Sequence, residues 1–218
     1  MSLTRQAFAR IRDAIVSGEL AFGEHLSETQ LATTLGMSKA PVRAAFMELR
    51  DRGLVNIVPQ SGTYVISPTP EDVRTLSHFR ALLENDAVRE AMKQRPETLL
   101  TRLDAAILGM KEAMATKDWD IYRKADSAFH LAFLEESGNQ YMVRAYHLGA
   151  TILEALRVRL QRGGKFRDQS FGEHIEIAAM LRNGDIEGAC DLLRSHILVI
   201  TDSLDTLPEI ITPAPPAT

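Results

Sequence analysis

Residues 38–62, SKAPVRAAFMELRDRGLVNIVPQSG, constrain the fold more than any other part of the chain. Val42, Ala45, Phe46 and Leu49 recur at the spacing of one buried helical stripe. Ser38 stands at the N-cap, free to accept from the first open backbone N–H groups. Pro41 falls in the first turn, where its missing N–H costs little. Gly53 ends the helix as the C′ residue. Ser38, Lys39, Arg43 and Arg50 lie off the stripe, where they can meet phosphates or base edges. Leu54–Val58 and Thr63–Ile66 are short β-rich runs, and Pro59-Gln60-Ser61-Gly62 between them is a turn, so the pair reads as a hairpin.

The preceding residues extend the pattern. Ser27 and Gln30 have capping-box spacing and open a short helix, and Gly36 permits a tight turn into Ser38. Two short helices joined by a few residues with a Gly are the helix-turn-helix signal. A first helix, about residues 3–17, carries Phe8, Ile11 and Ile15 on one face and closes at Gly18. Residues 1–66 therefore read as a winged helix-turn-helix of three helices plus a β-hairpin, the hairpin following the recognition helix as a wing. A small helical domain with a hairpin and no nucleic-acid role is the alternative.

Ser67-Pro68-Thr69-Pro70 is a stiff linker, residues 67–70. Beyond it, residues 71–207 show no strand pattern. They read as about six helices: 71–94, 97–115, 118–137, 139–161, 170–183 and 185–206. Pro96, Gly138, Gly163-Gly164 and Gly184 mark the sharper breaks. The fold class is mainly α, a winged helix-turn-helix followed by an all-helical bundle. The tail 208–218 is too rich in Pro to join the bundle and is expected to be disordered.

A hydrophobic content of 45% suits real cores, and a single cysteine, Cys190, excludes an intramolecular disulfide framework. Cys190 is expected to fill the core. No targeting segment and no apolar run of membrane-span length is visible, so a cytoplasmic location without membrane contact is expected. The net charge of −4 is unusual for a DNA binder. Residues 1–66 hold seven Lys/Arg and six Asp/Glu, a balance of +1, while residues 67–218 hold 18 and 23, a balance of −5. DNA binding must then rest on local placement of cations and on two copies sharing the phosphate contacts.

Four residues of the bundle form a ligand pattern. Asp126 and His130 are four apart and share one helix face. His174 lies ten residues before Gly184 and His196 twelve after it. In an antiparallel hairpin those offsets are about 15 Å and about 18 Å of helix, so the two rings come to nearly one height. One Asp and three His suit a divalent transition ion such as zinc, nickel or manganese. Core or surface histidines are the alternative at even weight. His147 is the rival ligand, and His25 and His78 read as structural or exposed. Arg80 and Glu84, four apart on one helix, suit an ion pair.

At this point the chain resembles a known family. Residues 24–65 look like the winged helix-turn-helix of GntR-superfamily transcription regulators, with SKAPVRAAFMELRDRGLV the most specific part. Residues 71–206, with Asp126, His130, Ser137-Gly138-Asn139, Glu173-His174 and His196, resemble the FCD effector domain of the FadR subfamily. The resemblance implies a homodimeric regulator, more often a repressor, that binds a palindromic double-stranded operator under the control of a small organic acid. It implies that Asp126, His130, His174 and His196 hold a metal beside that acid, and Arg80 and Arg157 are candidates to pair with the same carboxylate, Arg80 serving equally well as the ion-pair partner of Glu84. Lys39 and Arg43 match DNA-contacting positions and Gly62 matches the wing tip. Lys39 stands where the family usually has Arg, and Lys lacks the planar fork that reads guanine in two places. The rival functions are a metal-dependent hydrolase, with Glu173 as the nearest base, and a regulator whose metal is purely structural.

Overall fold

The structure is a computed structural model that describes residues 1–160 and 165–202. The expected tail 208–218, the last part of the expected sixth bundle helix and the Gly163-Gly164 break lie outside the described residues.

Three helices open the chain: α1 (Leu3–Ser17), α2 (Glu28–Thr34) and α3 (Lys39–Asp51). Ser2 caps α1 and Ser27 caps α2, each side chain accepting a backbone N–H three residues on. The α3 helix buries Val42, Ala45, Phe46 and Leu49 against α1, whose buried face includes Phe8, Ile11 and Ile15. Ser38 has the extended backbone of an N-cap, but its side chain makes no capping hydrogen bond, so the capping expected of it is not formed. The other end closes as a Schellman motif. Gly53 N–H donates to the Arg50 carbonyl and Leu54 N–H to the Leu49 carbonyl, with Gly53 at φ +69°.

The wing has one more strand than the sequence suggests. Strands β1 (His25–Leu26), β2 (Val55–Val58) and β3 (Gly62–Val65) form an antiparallel sheet in the order β1-β3-β2. In its register Val55 faces Val65, Ile57 faces Thr63 and His25 faces Tyr64. Two residues are too few to show alternation, so β1 exists only through its pairing with β3.

Six helices follow: α4 (Pro70–Gln94), α5 (Pro96–Thr116), α6 (Trp119–Glu136), α7 (Gln140–Leu160), α8 (Lys165–Arg182) and α9 (Ile186–Asp202). Thr69, in the expected linker, caps α4. The Asp72 carboxylate accepts from Thr69 N–H at 2.8 Å and from its hydroxyl at 2.7 Å, and Thr69 Oγ1 accepts from Asp72 N–H. This reciprocal cap puts Asp where a capping box has Glu or Gln. Asn139 accepts from the N–H groups of Tyr141 and Met142 and so caps α7 as expected. The α8 helix starts five residues earlier than the sequence reading, because KFRDQ contains no breaker.

The described residues group into two compact units. One comprises Met1–Val73 with Leu148–Arg159, the second half of α7. In it, Ile152 Cδ1 lies 3.7 Å from where a Cβ on Gly53 would stand. The other comprises Arg74–His147 with residues 160–202. Within that unit α5 packs on α6 and α8, and α8 on α9. Cys190 is fully buried there as a core residue.

Candidate metal centre and nucleic-acid interface

The stripe that α6 buries runs Tyr122, Asp126, Phe129, His130 and Phe133. Two polar residues thus sit on an apolar face, where each needs a partner to offset its desolvation. Antiparallel α8 and α9 bring His174 and His196 to 4.6 Å between ring centroids, and each ring is 5.2 Å from His130. The three Nε2 atoms converge: His174 Nε2 is 3.2 Å and His196 Nε2 3.4 Å from His130 Nε2. His130 and His174 are fully buried, and Phe129 lies 4.5 Å from the His174 ring. Among the described residues these three histidines form the one group of potential metal ligands, with their donor atoms within 4.8 Å of one another. Asp126 is buried beside it, its Oδ1 3.8 Å from His174 Nε2. His147, the rival ligand, is exposed and takes no part.

Two further carboxylates complete the arrangement. Glu84, fully buried on α4, meets His130 Nδ1 at 2.7 Å. Glu173 meets His196 Nδ1 at 2.7 Å and accepts from Gln169. Glu84 also receives Arg80 Nε–H, so the i+4 ion pair is formed inside the protein. Burial alone would lower the Arg80 pKa, but Glu84, Tyr146 and Asp126 outweigh it and hold the guanidinium above its ordinary value. Burial first, and then the charge on Arg80, push His130 well below the usual imidazole range. The His196 hydrogen bond is the largest influence holding Glu173 below the usual carboxylate range. Glu84 could not be read as part of this site from sequence: its partner lies 46 positions away on another helix.

Arg80 keeps one unsatisfied group. It is 4% exposed, and its Nη2 has no hydrogen-bond partner among the described residues. One turn earlier on the same buried face, the Ser77 hydroxyl is in the same position. Two buried polar groups left over on one face ask for an acceptor. An imidazole donor set that converges on one point, beside a carboxylate and a guanidinium with one open N–H group, suits a divalent transition ion with an anion next to it. Arg157 is half-buried on the part of α7 that groups with the N-terminal unit.

At the other site, Lys39, Arg43 and Arg50 are exposed on α3, as the stripe requires. Arg43 does not stand free. Its Nε donates to Glu28 at 3.0 Å and its Nη2 at 2.8 Å, a two-pronged pair between α3 and α2. Arg43 draws Glu28 below the ordinary carboxylate range, and Lys39 adds a weaker pull. Arg50 pairs with Asp51, while Arg52 pairs with Glu48 and lies over the Phe8 ring at 4.7 Å. At the wing tip Ser61 Oγ and Tyr64 OH are 2.9 Å apart, and the His25 ring packs edge-on against Tyr64. Gly62 has φ +131°, and a Cβ there would come within 2.6 Å of His25 Nε2.

Known proteins share both halves of this arrangement. Residues 3–65 match the gntR family of bacterial regulatory proteins, and residues 75–198 match the FCD domain. The chain is 26% identical over 212 residues to the HTH-type transcriptional repressor RspR of Escherichia coli, covering 93% of this chain and 89% of that one. It is 29% identical over 201 residues to a D-xylose utilization operon transcriptional repressor of Paenarthrobacter nicotinovorans, covering 89% and 88%. A GntR transcriptional regulator from Rhodococcus sp. RHA1 superposes with a TM-score of 0.81 at 26% identity, over 94% of this chain and 99% of that one. The two matches lie side by side along one chain: the chain belongs to the GntR family of DNA-binding transcription regulators and carries an FCD domain.

Proposed function

We propose that the protein is a homodimeric repressor whose grip on a palindromic operator is set by a small organic acid bound beside a divalent transition ion. In this reading residues 1–66 meet DNA, 67–70 link, and 71–207 sense the ligand. The observation that carries it is the convergence of His130, His174 and His196 Nε2 on one buried point beside Asp126. A divalent ion such as zinc, nickel or manganese would supply a Lewis-acidic position for a carboxylate. Asp126 and the three histidines would hold it. Arg80 Nη2, with the Ser77 hydroxyl, would hold the free end of the acid. The same guanidinium is tied through Glu84 to His130, so one arginine would hold the expected acid and reach one expected ligand through a shared carboxylate.

On DNA, the open amides at the start of α3 and the Ser38 hydroxyl favour a phosphate, with Lys39 and Arg43 as cations near it, while Arg50 in the last turn would meet a different phosphate. Gly62 lets the wing tip approach the backbone closely. With a balance of only +1 over residues 1–66, one copy offers few phosphate contacts, which favours a symmetric pair on a palindrome. The repressors among the relatives favour repression over activation.

The test is metal content by mass spectrometry on untagged protein, wild type beside His174→Ala. About one transition ion per chain, lost in the variant, is expected. No metal in either, after incubation with zinc, nickel and manganese, would overturn the metal reading.

A further inference from the structure

We infer that Glu84 and Glu173 are positioning residues. They hold His130 and His196 in the tautomer with hydrogen on Nδ1, so that both Nε2 lone pairs face the point where His174 Nε2 also arrives. This rests on the metal reading above for its purpose, but the geometry stands without it. A neutral imidazole has one N–H and one lone pair, and the hydrogen bond made by one nitrogen decides the role of the other. Each of the two rings meets a carboxylate oxygen at 2.7 Å through Nδ1. A carboxylate accepts, so Nδ1 donates and Nε2 is left with its lone pair. With the opposite tautomer, an Nε2–H would point into the three-nitrogen cluster and Nδ1 would face an oxygen lone pair at hydrogen-bond distance.

The two acids are differently built. Glu84 is fully buried, and its other oxygen accepts from the Arg80 guanidinium. Glu173 is partly exposed and is steadied by Gln169. Neither belongs to the converging donor group, so neither is assigned as a ligand. Orientation by an outer carboxylate raises imidazole basicity and fixes the ring, and its loss costs metal affinity about 10–100-fold.

The experiment has two readouts on the full chain. The first is long-range 1H–15N correlation on metal-free, 15N-labelled protein, which reports which ring nitrogen carries the hydrogen. Wild type is expected to show Nδ1–H at His130 and His196. Glu84→Gln places an amide against Nδ1 and is expected to turn His130 to Nε2–H, whereas Glu84→Asp retains Nδ1–H. The second is zinc affinity by competition with a chromophoric chelator, expected to fall about 10–100-fold in Glu84→Gln and in Glu173→Gln and to recover in part in Glu84→Asp. Should Glu84→Gln fail to fold, Glu173→Gln at the partly exposed site decides with His196. Nε2–H at both rings in wild type, or zinc affinity unchanged in the folded variants, overturns the inference. Wild type with Nδ1–H tautomers that takes up no zinc supports the tautomer assignment and overturns the metal reading instead.

Discussion

Single residues carry two sharp expectations. Thr69 and Asp72 satisfy each other at the start of α4, and the Thr69 hydroxyl holds the Asp72 carboxyl below its ordinary range, its backbone N–H adding to the effect. Thr69→Ala should cost about 0.5–2 kcal/mol by urea denaturation at neutral pH. The sign with pH follows from the lowered value. The carboxylate part of the stabilisation is fully present above the unfolded pKa of about 4 and fades as pH falls below it, so the gap between wild type and variant should narrow in acid to the part that Thr69 Oγ1 contributes by accepting from Asp72 N–H. At the wing, Gly62→Ala adds a Cβ against His25 and forces a side chain into φ +131°. A loss of about 1–3 kcal/mol is expected from the backbone strain. The double variant with His25→Ala should recover only the steric part, because removing the ring leaves the dihedral unchanged. Equal stability of Gly62→Ala and wild type would show that the tip adopts another path.

At the scale of elements, the helix-turn-helix holds the arginine proposed to meet DNA. The Glu28 carboxylate grips Arg43 from the neighbouring helix, and in that proposal DNA competes with it. Glu28→Gln should tighten binding to random-sequence duplex at low salt, measured by fluorescence anisotropy. Stability should change by no more than about 0.5 kcal/mol, since the pair is exposed. Lys39→Ala should weaken binding to every sequence alike and reduce the salt slope by about 0.9. The breakers and caps that delimit these elements are local, which is why Ser27, Gly53, Pro96 and Asn139 could be read directly. The hairpin arithmetic around Gly184 is equally local, and the structure has the His174 and His196 rings at one height, 4.6 Å apart. What could not be read is what depends on distant pairing. The β1 strand has no pattern of its own, and Glu84 shows only its i+4 arginine and nothing of His130. The silent Ser38 side chain belongs to the same class, because the residue type permits a cap that the rotamer does not make.

For the whole molecule, ligand and fold are linked. Any ion that binds the folded histidine cluster and not the unfolded chain stabilises the fold by about 2.7 kcal/mol at a hundredfold excess over its Kd. Zinc, nickel or manganese should therefore raise the melting temperature, a chelator should lower it, and His130→Ala should abolish both effects. A scan indifferent to every metal would speak for histidines that only pack. The acidic balance of residues 67–218 makes the same point for DNA. The net charge repels a polyanion, so affinity depends on where a few cations sit. Among the described residues no helix is long and apolar enough to cross a membrane.

The grouping of Leu148–Arg159 with Met1–Val73 bears on how such a gene can change. Readers and sensors are often pictured as cassettes that recombination can exchange at the linker. A crossover at residues 67–70 would deliver the helix-turn-helix and wing without the half-helix that packs with them, and would bring in a foreign one. Swaps should succeed only between parents whose α7 halves carry compatible side chains opposite Gly53. Ancestry in the two parts of this chain should then be traced through three segments rather than two.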